Sequence, residues 1–187
     1  KNLESVFMES KELVFIKPDG VERKLVGKVI SRFEENGFKI LRLKKGRIPM
    51  SVAEKLYPDS VEQLTGMGNK TLKSMHDRGE DAKVTEIFGT TDPMEIGRQL
   101  NQWNRTAATS AEVVAMILVG EDAPKRARAL VGNTDPSKAE KGTIRGDFAN
   151  DSIYQGNMER RACRNIVHAS DEERAPIETK LFEEEFF

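Results

Sequence analysis

An uninterrupted apolar run, Val113 to Val119, restricts most strongly what this chain can fold into. The run is far shorter than the roughly 18 apolar residues that a membrane-spanning helix needs. It has the length of a strand, and a strand that is buried on both faces needs no polar alternation. The run therefore predicts the central strand of a sheet, in a protein whose partners do not include a membrane.

Strand-like and helix-like segments alternate around this run. Apolar and β-branched residues predict three more strands, at Glu12–Lys17, Phe38–Lys45 and Asn165–Val167. Apolar residues at helical spacing predict helices at Leu25–Phe33, Ala123–Val131 and Ser170–Phe182. This order predicts an α/β (α+β) fold, a ferredoxin-like two-layer sandwich with a four-stranded antiparallel sheet and helical insertions.

The length of 187 residues suits a single domain. Residues 1–10 are expected to be a tail or an expression remnant, because Met8 is a plausible start. Residues 11–187 are expected to form the domain, with insertions at about 58–110 and 150–161. The first insertion is polar and punctuated by glycine, and we expect it to be helical and to lie over the core, whereas the second is simply polar.

Two segments are predicted to be irregular. Pro18-Asp19-Gly20 cannot continue a strand ladder and predicts a turn, which leaves Lys17 at a strand tip. Asn133–Ala149 has little apolar content, and its length predicts a functional loop that turns around Arg145.

The overall charge gives no reason to expect a large anionic partner. The chain has 30 basic and 31 acidic side chains and a net charge of -1, so nucleic acid is not expected as the principal partner. Cys163 is the only cysteine, which excludes an internal disulfide and is typical of the reducing cytoplasm. We therefore expect a cytoplasmic protein, an unreactive Cys163, and an anion site that is local.

His168 is the candidate catalytic residue, although a lone histidine beside apolar residues is more often structural. The chain lacks the common phosphate-loop and dinucleotide-binding motifs. It does contain cations and small donors outside the strand that carries His168, namely Lys17, Arg128, Thr134 and Arg145. Such groups suit phosphoryl transfer, because they position a polyphosphate and neutralise its oxygens. A neutral imidazole is abundant near neutral pH and can attack phosphorus directly.

Three stretches resemble the nucleoside diphosphate kinase family: KPDGV at 17–21, GTIRGDF at 142–148 and NIVHASD at 165–171. The resemblance covers nearly all of the chain apart from the tail and the two insertions. It implies an enzyme that transfers the γ-phosphate of a nucleoside triphosphate, chiefly ATP, to a nucleoside diphosphate by a ping-pong mechanism. It also implies a phosphohistidine intermediate, the ferredoxin-like fold and a closed homo-oligomer, most often a hexamer.

The resemblance also assigns a role to each matching residue. His168 is the implied nucleophile, and Glu178 and Ser170 help to orient its imidazole. The implied phosphate and sugar contacts are Lys17, Tyr57, Arg128, Thr134, Arg145 and Asn165. Mg²⁺ travels on the phosphates in this scheme, with no metal ligand in the protein and Asp171 reaching the ion at most through water. Replacing either arginine is expected to reduce transfer strongly and to change stability little.

One departure from the family pattern concerns the nucleotide base. The aromatic pair and the arginine that usually follow the Tyr57 position are absent from residues 58–69, so the base contact is unassigned. We expect the first helix of the insertion, near Gly68–Met75, to cover the base and ribose, with Lys70 in place of the arginine. The alternative is that the insertion only braces the subunit or its oligomer contacts.

A second departure concerns Glu178. The segment from His168 to Glu178 is one residue shorter than usual and contains Pro176. Proline costs about 3 kcal/mol in a helix interior. The last helix therefore either kinks at Pro176 or begins near it, and Glu172 and Glu173 are the alternatives to Glu178.

Two other functions are compatible with these motifs. The chain could be a regulatory or interaction module that binds nucleotides without turnover. It could also pass the phosphate to a protein histidine or to a small acid. The matched phosphate-handling residues are all present, which favours turnover with nucleotides.

Overall fold

A computed structural model describes residues 9–187 of the chain. Residues 1–8, which make up most of the predicted tail, lie outside the described residues. The first strand begins at Glu9, so Glu9 and Ser10 are part of the sheet and not of a tail. Within the described residues, no helix combines the length and the apolar character that crossing a bilayer requires.

One antiparallel sheet organises the structure. Its strands are β1 Glu9–Ile16, β2 Lys39–Gly46, β3 Val113–Glu121 and β4 Val167–Ala169. The helices in the described range are α1 Pro18–Glu22, α2 Val26–Glu35, α3 Met50–Leu56, α4 Val61–His76, α5 Asp81–Phe88, α6 Pro93–Thr109, α7 Ala123–Val131, α8 Ile144–Phe148, α9 Ile153–Met158 and α10 Ala175–Glu185. The strand order is β2–β3–β1–β4, which confirms the predicted ferredoxin-like fold.

Each face of the sheet carries its own hydrophobic core. The central strands β1 and β3 pair along their length, and alternate side chains point to opposite faces. One face packs against α2 and α7, with core residues Val14, Ile16, Val29, Phe33, Met116 and Ala127. The other face packs against α3 and α10, with core residues Leu13, Phe15, Ala53, Ile117 and Phe182. Helices therefore cover both faces of the sheet.

The predicted insertion at 58–110 forms α4, α5 and α6, which enclose a third core of Met75, Val84, Ile87, Phe88 and Ile96. Helices α4 and α6 approach very closely. A Cβ at Gly68 would lie 1.8 Å from the Pro93 carbonyl oxygen, and a Cβ at Gly97 would lie 2.1 Å from the Leu64 carbonyl oxygen. Only glycine fits at these two contacts, because any side chain would overlap the backbone of the facing helix.

Short helices occur where the sequence predicts a turn and a loop. Pro18–Gly20 begins α1, because proline at the first helical position lacks only an N–H that would have no partner there. The segment 133–149 contains a 3-10 turn at Pro136–Lys138 and then α8, whose N-cap Thr143 accepts a hydrogen bond from the Gly146 N–H. The structure therefore corrects both predictions in part: Pro18–Gly20 turns within a short helix, and 133–149 is irregular except for the 3-10 turn and α8.

The last helix begins later than the sequence predicts. Helix α10 starts at Ala175 rather than at Ser170, with Pro176 in its first turn. The start near Pro176 is thus the alternative that the structure adopts, since proline is tolerated in a first turn and disfavoured in a helix interior. Glu178 follows within the first turn of α10 and is buried.

The close packing of α4 on α6 gives a stability prediction. Gly68→Ala should lower the free energy of unfolding by about 2 kcal/mol or more, because its Cβ meets backbone that cannot give way. Gly66→Ala is the matched control two residues away, since a Cβ there meets nothing within 4 Å. The control should raise stability by about 0.5–1 kcal/mol through helix propensity. Urea denaturation that ranks the two variants in the opposite order would contradict this packing.

Candidate active site

His168 lies within β4, on the face that α3 and α10 cover. It is directly opposite Phe15 of β1, and the two rings stack with centroids 4.7 Å apart. The Tyr57 ring, just after α3, meets the imidazole edge-on with centroids 6.3 Å apart. β4 begins at Val167, two residues later than the predicted Asn165. His168 is the middle residue of this short strand, so pairing with β1 fixes its position. Its side chain keeps 19% exposure, which leaves room for a ligand on one side.

Glu178 orients the imidazole. Its Oε2 lies 2.9 Å from Nε2 of His168 and accepts a hydrogen bond of 2.7 Å from the Ser170 hydroxyl. Burial raises the pKa of Glu178, but these hydrogen bonds and the charge of His168 outweigh it and bring the pKa to about 2. Glu178 is therefore ionised at neutral pH and keeps the proton on Nε2. Glu172 and Glu173, the alternatives to Glu178, are exposed.

Arg174 is a site residue that the sequence reasoning missed. Its Nε donates to Oε1 of Glu178 at 2.7 Å. Its Nη2 donates to the Leu56 carbonyl oxygen at 3.1 Å, which ties the start of α10 to the end of α3. The four-residue spacing of Arg174 and Glu178 is a signal that the sequence contains, because such pairs meet on a helix.

Lys17 and Asn165 form a buried polar pair just before β4 in the structure. The Lys17 Nζ donates to Oδ1 of Asn165 at 2.9 Å and to the Cys163 carbonyl oxygen at 3.1 Å. The Asn165 amide in turn donates to the Thr134 carbonyl oxygen at 2.9 Å. Burial lowers the pKa of Lys17. Burial also raises the pKa of the Cys163 thiol to about 12, which fits the expectation that this cysteine is unreactive.

Arg145 is buried and bound by backbone carbonyls. Its guanidinium donates to the carbonyl oxygens of Asn165, Gly132 and Val167 at 3.3, 3.0 and 2.8 Å. Its residue exposure is 3%. Burial, and then the charge of Arg128, lower the pKa of Arg145 to about 10. The expectation that losing Arg145 changes stability little does not fit this geometry, because three carbonyl oxygens, two of them in buried hydrogen bonds, would each lose a donor.

Arg128 reaches the same site from α7. Its Nη1 donates to the Ala169 carbonyl oxygen at 3.3 Å, and its Nη2 lies 3.0 Å from Oδ1 of Asp171. The side chain is 36% exposed, so its position differs from that of the buried Arg145. Arg128 therefore lies at the rim, where it can turn towards an anion.

A strained residue leads into the strand of His168. Ile166 has a φ of +61°, which is costly for a β-branched residue. Its N–H donates to Oδ2 of Asp19 at 2.9 Å, and its carbonyl oxygen accepts the Lys17 N–H at 2.9 Å. Gly20 is required beside it, because a Cβ there would lie 2.7 Å from the Ile166 carbonyl oxygen. The KPDG stretch thus holds the strained entry to β4.

The insertion contacts the site through Tyr57 rather than through the predicted lid residues. Of the predicted lid residues, Met75 is 1% exposed and belongs to the core of the insertion, whereas Lys70 is exposed. The Asn101 amide and the Arg105 guanidinium both donate to the Tyr57 carbonyl oxygen at 3.0 Å. Burial, followed by the charge of Glu178, raises the pKa of the Tyr57 hydroxyl. These contacts favour the bracing alternative over the lid.

Glu178 and Tyr57 contact the His168 ring, Ser170 contacts Glu178, and Arg128 and Arg145 donate to backbone carbonyl oxygens on either side of His168. The other three predicted site residues form a second linked group through their hydrogen bonds, namely Lys17, Asn165 and Thr134. A family model described as nucleoside diphosphate kinase matches residues 10–99 and 94–186. The chain belongs to the nucleoside diphosphate kinase family. Members of this family are enzymes that transfer phosphate between nucleotides, and this is the reaction class of the chain. The family is generally metal-dependent.

Individual relatives agree with the family assignment. The chain is 43% identical over 161 residues to a nucleoside diphosphate kinase of Pyrobaculum aerophilum, covering 86% of this chain and 87% of the relative. A crystal structure of an NDP kinase from the same organism superposes with a TM-score of 0.88 at 40% identity, covering 95% of this chain and 98% of that one. Helices α4 to α6 therefore largely have counterparts there.

A solved structure with bound ligands also matches the chain. It is a transition-state mimic of a nucleoside diphosphate kinase from Borrelia burgdorferi with bound vanadate and ADP. The TM-score is 0.69 at 26% identity, and the match covers 96% of this chain and 87% of that one. That related protein therefore binds a nucleotide together with a phosphate analogue.

The burial of Arg145 gives a second stability prediction. Arg145→Ala should lower the free energy of unfolding by about 3 kcal/mol, because the buried carbonyls lose their donor. Arg126→Ala is the matched control on α7, since Arg126 also donates to two carbonyls but at an exposed site. The control should cost less than about 1 kcal/mol. Equal denaturation midpoints for the two variants would show that Arg145 has no structural role.

Proposed function

We propose that His168 is the nucleophile of a two-step transfer that moves the γ-phosphate of a nucleoside triphosphate, chiefly ATP, to a nucleoside diphosphate. The observation that carries the proposal is the 2.9 Å contact between Nε2 of His168 and ionised Glu178. It keeps the proton on Nε2 and leaves the lone pair on Nδ1. The imidazole is thereby prepared to attack with one defined nitrogen.

In the first step, Nδ1 of His168 forms a bond to the γ-phosphorus, and the bond from that phosphorus to the bridging oxygen breaks. The electron pair leaves with the nucleoside diphosphate. The phosphorylated imidazole gains positive charge, which Glu178 stabilises through Nε2. In the second step, a terminal oxygen of the acceptor diphosphate attacks the phosphorus, and the N–P bond breaks to restore the Nδ1 lone pair.

The cations around His168 neutralise the phosphate oxygens in this scheme. Lys17 and Arg145 are positioned by carbonyl and amide oxygens, so both approach the ligand with fixed geometry. Arg128 supplies a third charge from the rim, and Asn165 and Thr134 supply neutral contacts. Preorganised charge of this kind stabilises the transition state more than the ground state, because phosphate charge redistributes during transfer.

Mg²⁺ enters as part of the nucleotide substrate. Among the described residues, no group of three or more His, Cys, Asp or Glu side chains could hold a metal ion. The described residues offer cations and amide donors to the phosphates, and Mg²⁺ would neutralise phosphate charge when bound. We expect Asp171, whose side chain is 68% exposed at the rim, to reach the ion at most through water.

A homo-oligomer is supported by the exposed edge of the sheet. β2 is an edge strand, and its Leu41 and Leu43 are 52% and 50% exposed. Exposed apolar side chains on an edge strand favour association with another chain. We infer that a second copy of the chain covers this edge, and the hexamer remains a prediction from the resemblance. The cytoplasmic location likewise remains a prediction, which rests on the single Cys163.

The first test of the proposal is chemical. Incubation with MgATP should give an acid-labile, base-stable phosphoenzyme, and His168→Ala should abolish it, because no other side chain has the same placement. Exchange between ATP and a panel of nucleoside diphosphates should then be lost in the same variant. His76→Ala is the control, since His76 pairs with Asp81 on an exposed surface. Equal phosphorylation of His168→Ala and wild type in intact-mass spectra would overturn the assignment, and a phosphoenzyme that fails to pass phosphate to any diphosphate would favour another acceptor.

A further inference from the structure

Glu12 is a buried carboxyl next to the site that none of the steps above uses. It lies on β1, and its exposure is 0%. Its Oε1 accepts a hydrogen bond of 2.6 Å from the Ser170 N–H, while its Oε2 finds no hydrogen-bond partner anywhere in residues 9–187. A buried carboxylate with one orphaned oxygen is costly, because ionised oxygens lose their hydration without replacement. The environment of Glu12 therefore disfavours its charged form.

The charged groups around Glu12 are mostly of like sign. Glu178 approaches from α10 and Asp171 from the segment after β4, and Arg128 approaches from α7 as the opposing cation. Burial, and then the charges of the two acids, raise the pKa of Glu12 to about 9, although the Ser170 N–H and Arg128 lower it. A second negative charge here would also repel the phosphates of an incoming nucleotide.

Glu12 connects to the imidazole through one residue. It holds the backbone of Ser170, whose hydroxyl donates to Oε2 of Glu178, and that same oxygen contacts His168. We propose that Glu12 is a neutral, protonated positioning residue that fixes Ser170, so that the Ser170 hydroxyl keeps Glu178 aligned on His168. A neutral acid can accept the Ser170 N–H through its carbonyl oxygen without adding charge to the site.

The kinetic test, which rests on the proposed function, compares Glu12→Gln and Glu12→Ala. Glutamine keeps the shape and the acceptor oxygen but cannot ionise. Glu12→Ala should slow single-turnover phosphorylation of His168 by about tenfold near neutral pH, with little change in KM for MgATP, because orientation rather than binding is lost. Glu12→Gln should rescue most of that rate. If Glu12→Gln is as slow as Glu12→Ala, or if neither is slower than wild type, the proposal is wrong.

The pH dependence separates a neutral acid from a merely packed one. The phosphorylation rate of the wild type should fall as Glu12 ionises above about pH 9, and this alkaline fall should move to higher pH in Glu12→Gln. Glu9→Gln is the control, because it removes an exposed acid from the same strand and should leave the profile unchanged. Superimposable profiles for wild type and Glu12→Gln would contradict the proposal.

A denaturation experiment tests the neutrality of Glu12 without using activity. The folded state holds the Glu12 proton up to about pH 9, whereas the unfolded chain releases it near its usual value of 4.5. The unfolded state therefore binds fewer protons in this window, so the folding constant of the wild type should fall relative to Glu12→Gln by up to about tenfold per pH unit. A difference that does not change between pH 5 and 8 would overturn the proposal even if phosphotransfer is normal. If no phosphoenzyme forms at all, the proposed function fails and this test still decides the state of Glu12.

Discussion

The hydrogen bond from the Ile166 N–H to Asp19 joins the two segments on which the site depends. These residues are 147 positions apart in sequence, yet the bond places the end of β1 against the entry to β4. It holds Ile166 in the left-handed region, and Gly20 leaves the space that the Ile166 carbonyl oxygen occupies. Because Lys17 precedes Asp19 and His168 follows Ile166, this contact sets the distance between the buried cation and the imidazole.

Charge in the site is balanced differently for cations and acids. Lys17 and Arg145 form no ion pair with any of residues 9–187, and carbonyl and amide oxygens hold them instead. Their positive charge is therefore left for an anionic ligand. Glu178 is instead matched locally by Arg174 and the imidazole, so its charge serves to orient His168. This division suits a site that must bind polyphosphate and still keep one nitrogen nucleophilic.

The sequence predicted the sheet well, because its central strands are apolar runs and its helices have amphipathic spacing. It also named candidate site residues through motifs, and the structural reason for one motif glycine is visible only in three dimensions: Gly20 makes room for the carbonyl oxygen of Ile166. It did not predict α1 and α8, because a helix of five residues is too short to show the apolar spacing by which a helix is recognised. It also missed the burial of Arg145 and the bond of Glu12 to Ser170, because both depend on tertiary contacts that no local pattern encodes.

In the proposed mechanism, Glu178 holds the Nε2 proton of His168 and thereby selects Nδ1 as the nucleophile. Phosphorus and nitrogen NMR of the isolated phosphoenzyme measures this directly, because coupling across the N–P bond identifies the phosphorylated nitrogen. We expect phosphate on Nδ1 in the wild type, and a slower reaction in Glu178→Gln, since a neutral amide does not stabilise the imidazolium. Phosphate on Nε2 of His168 in the wild type would contradict the account.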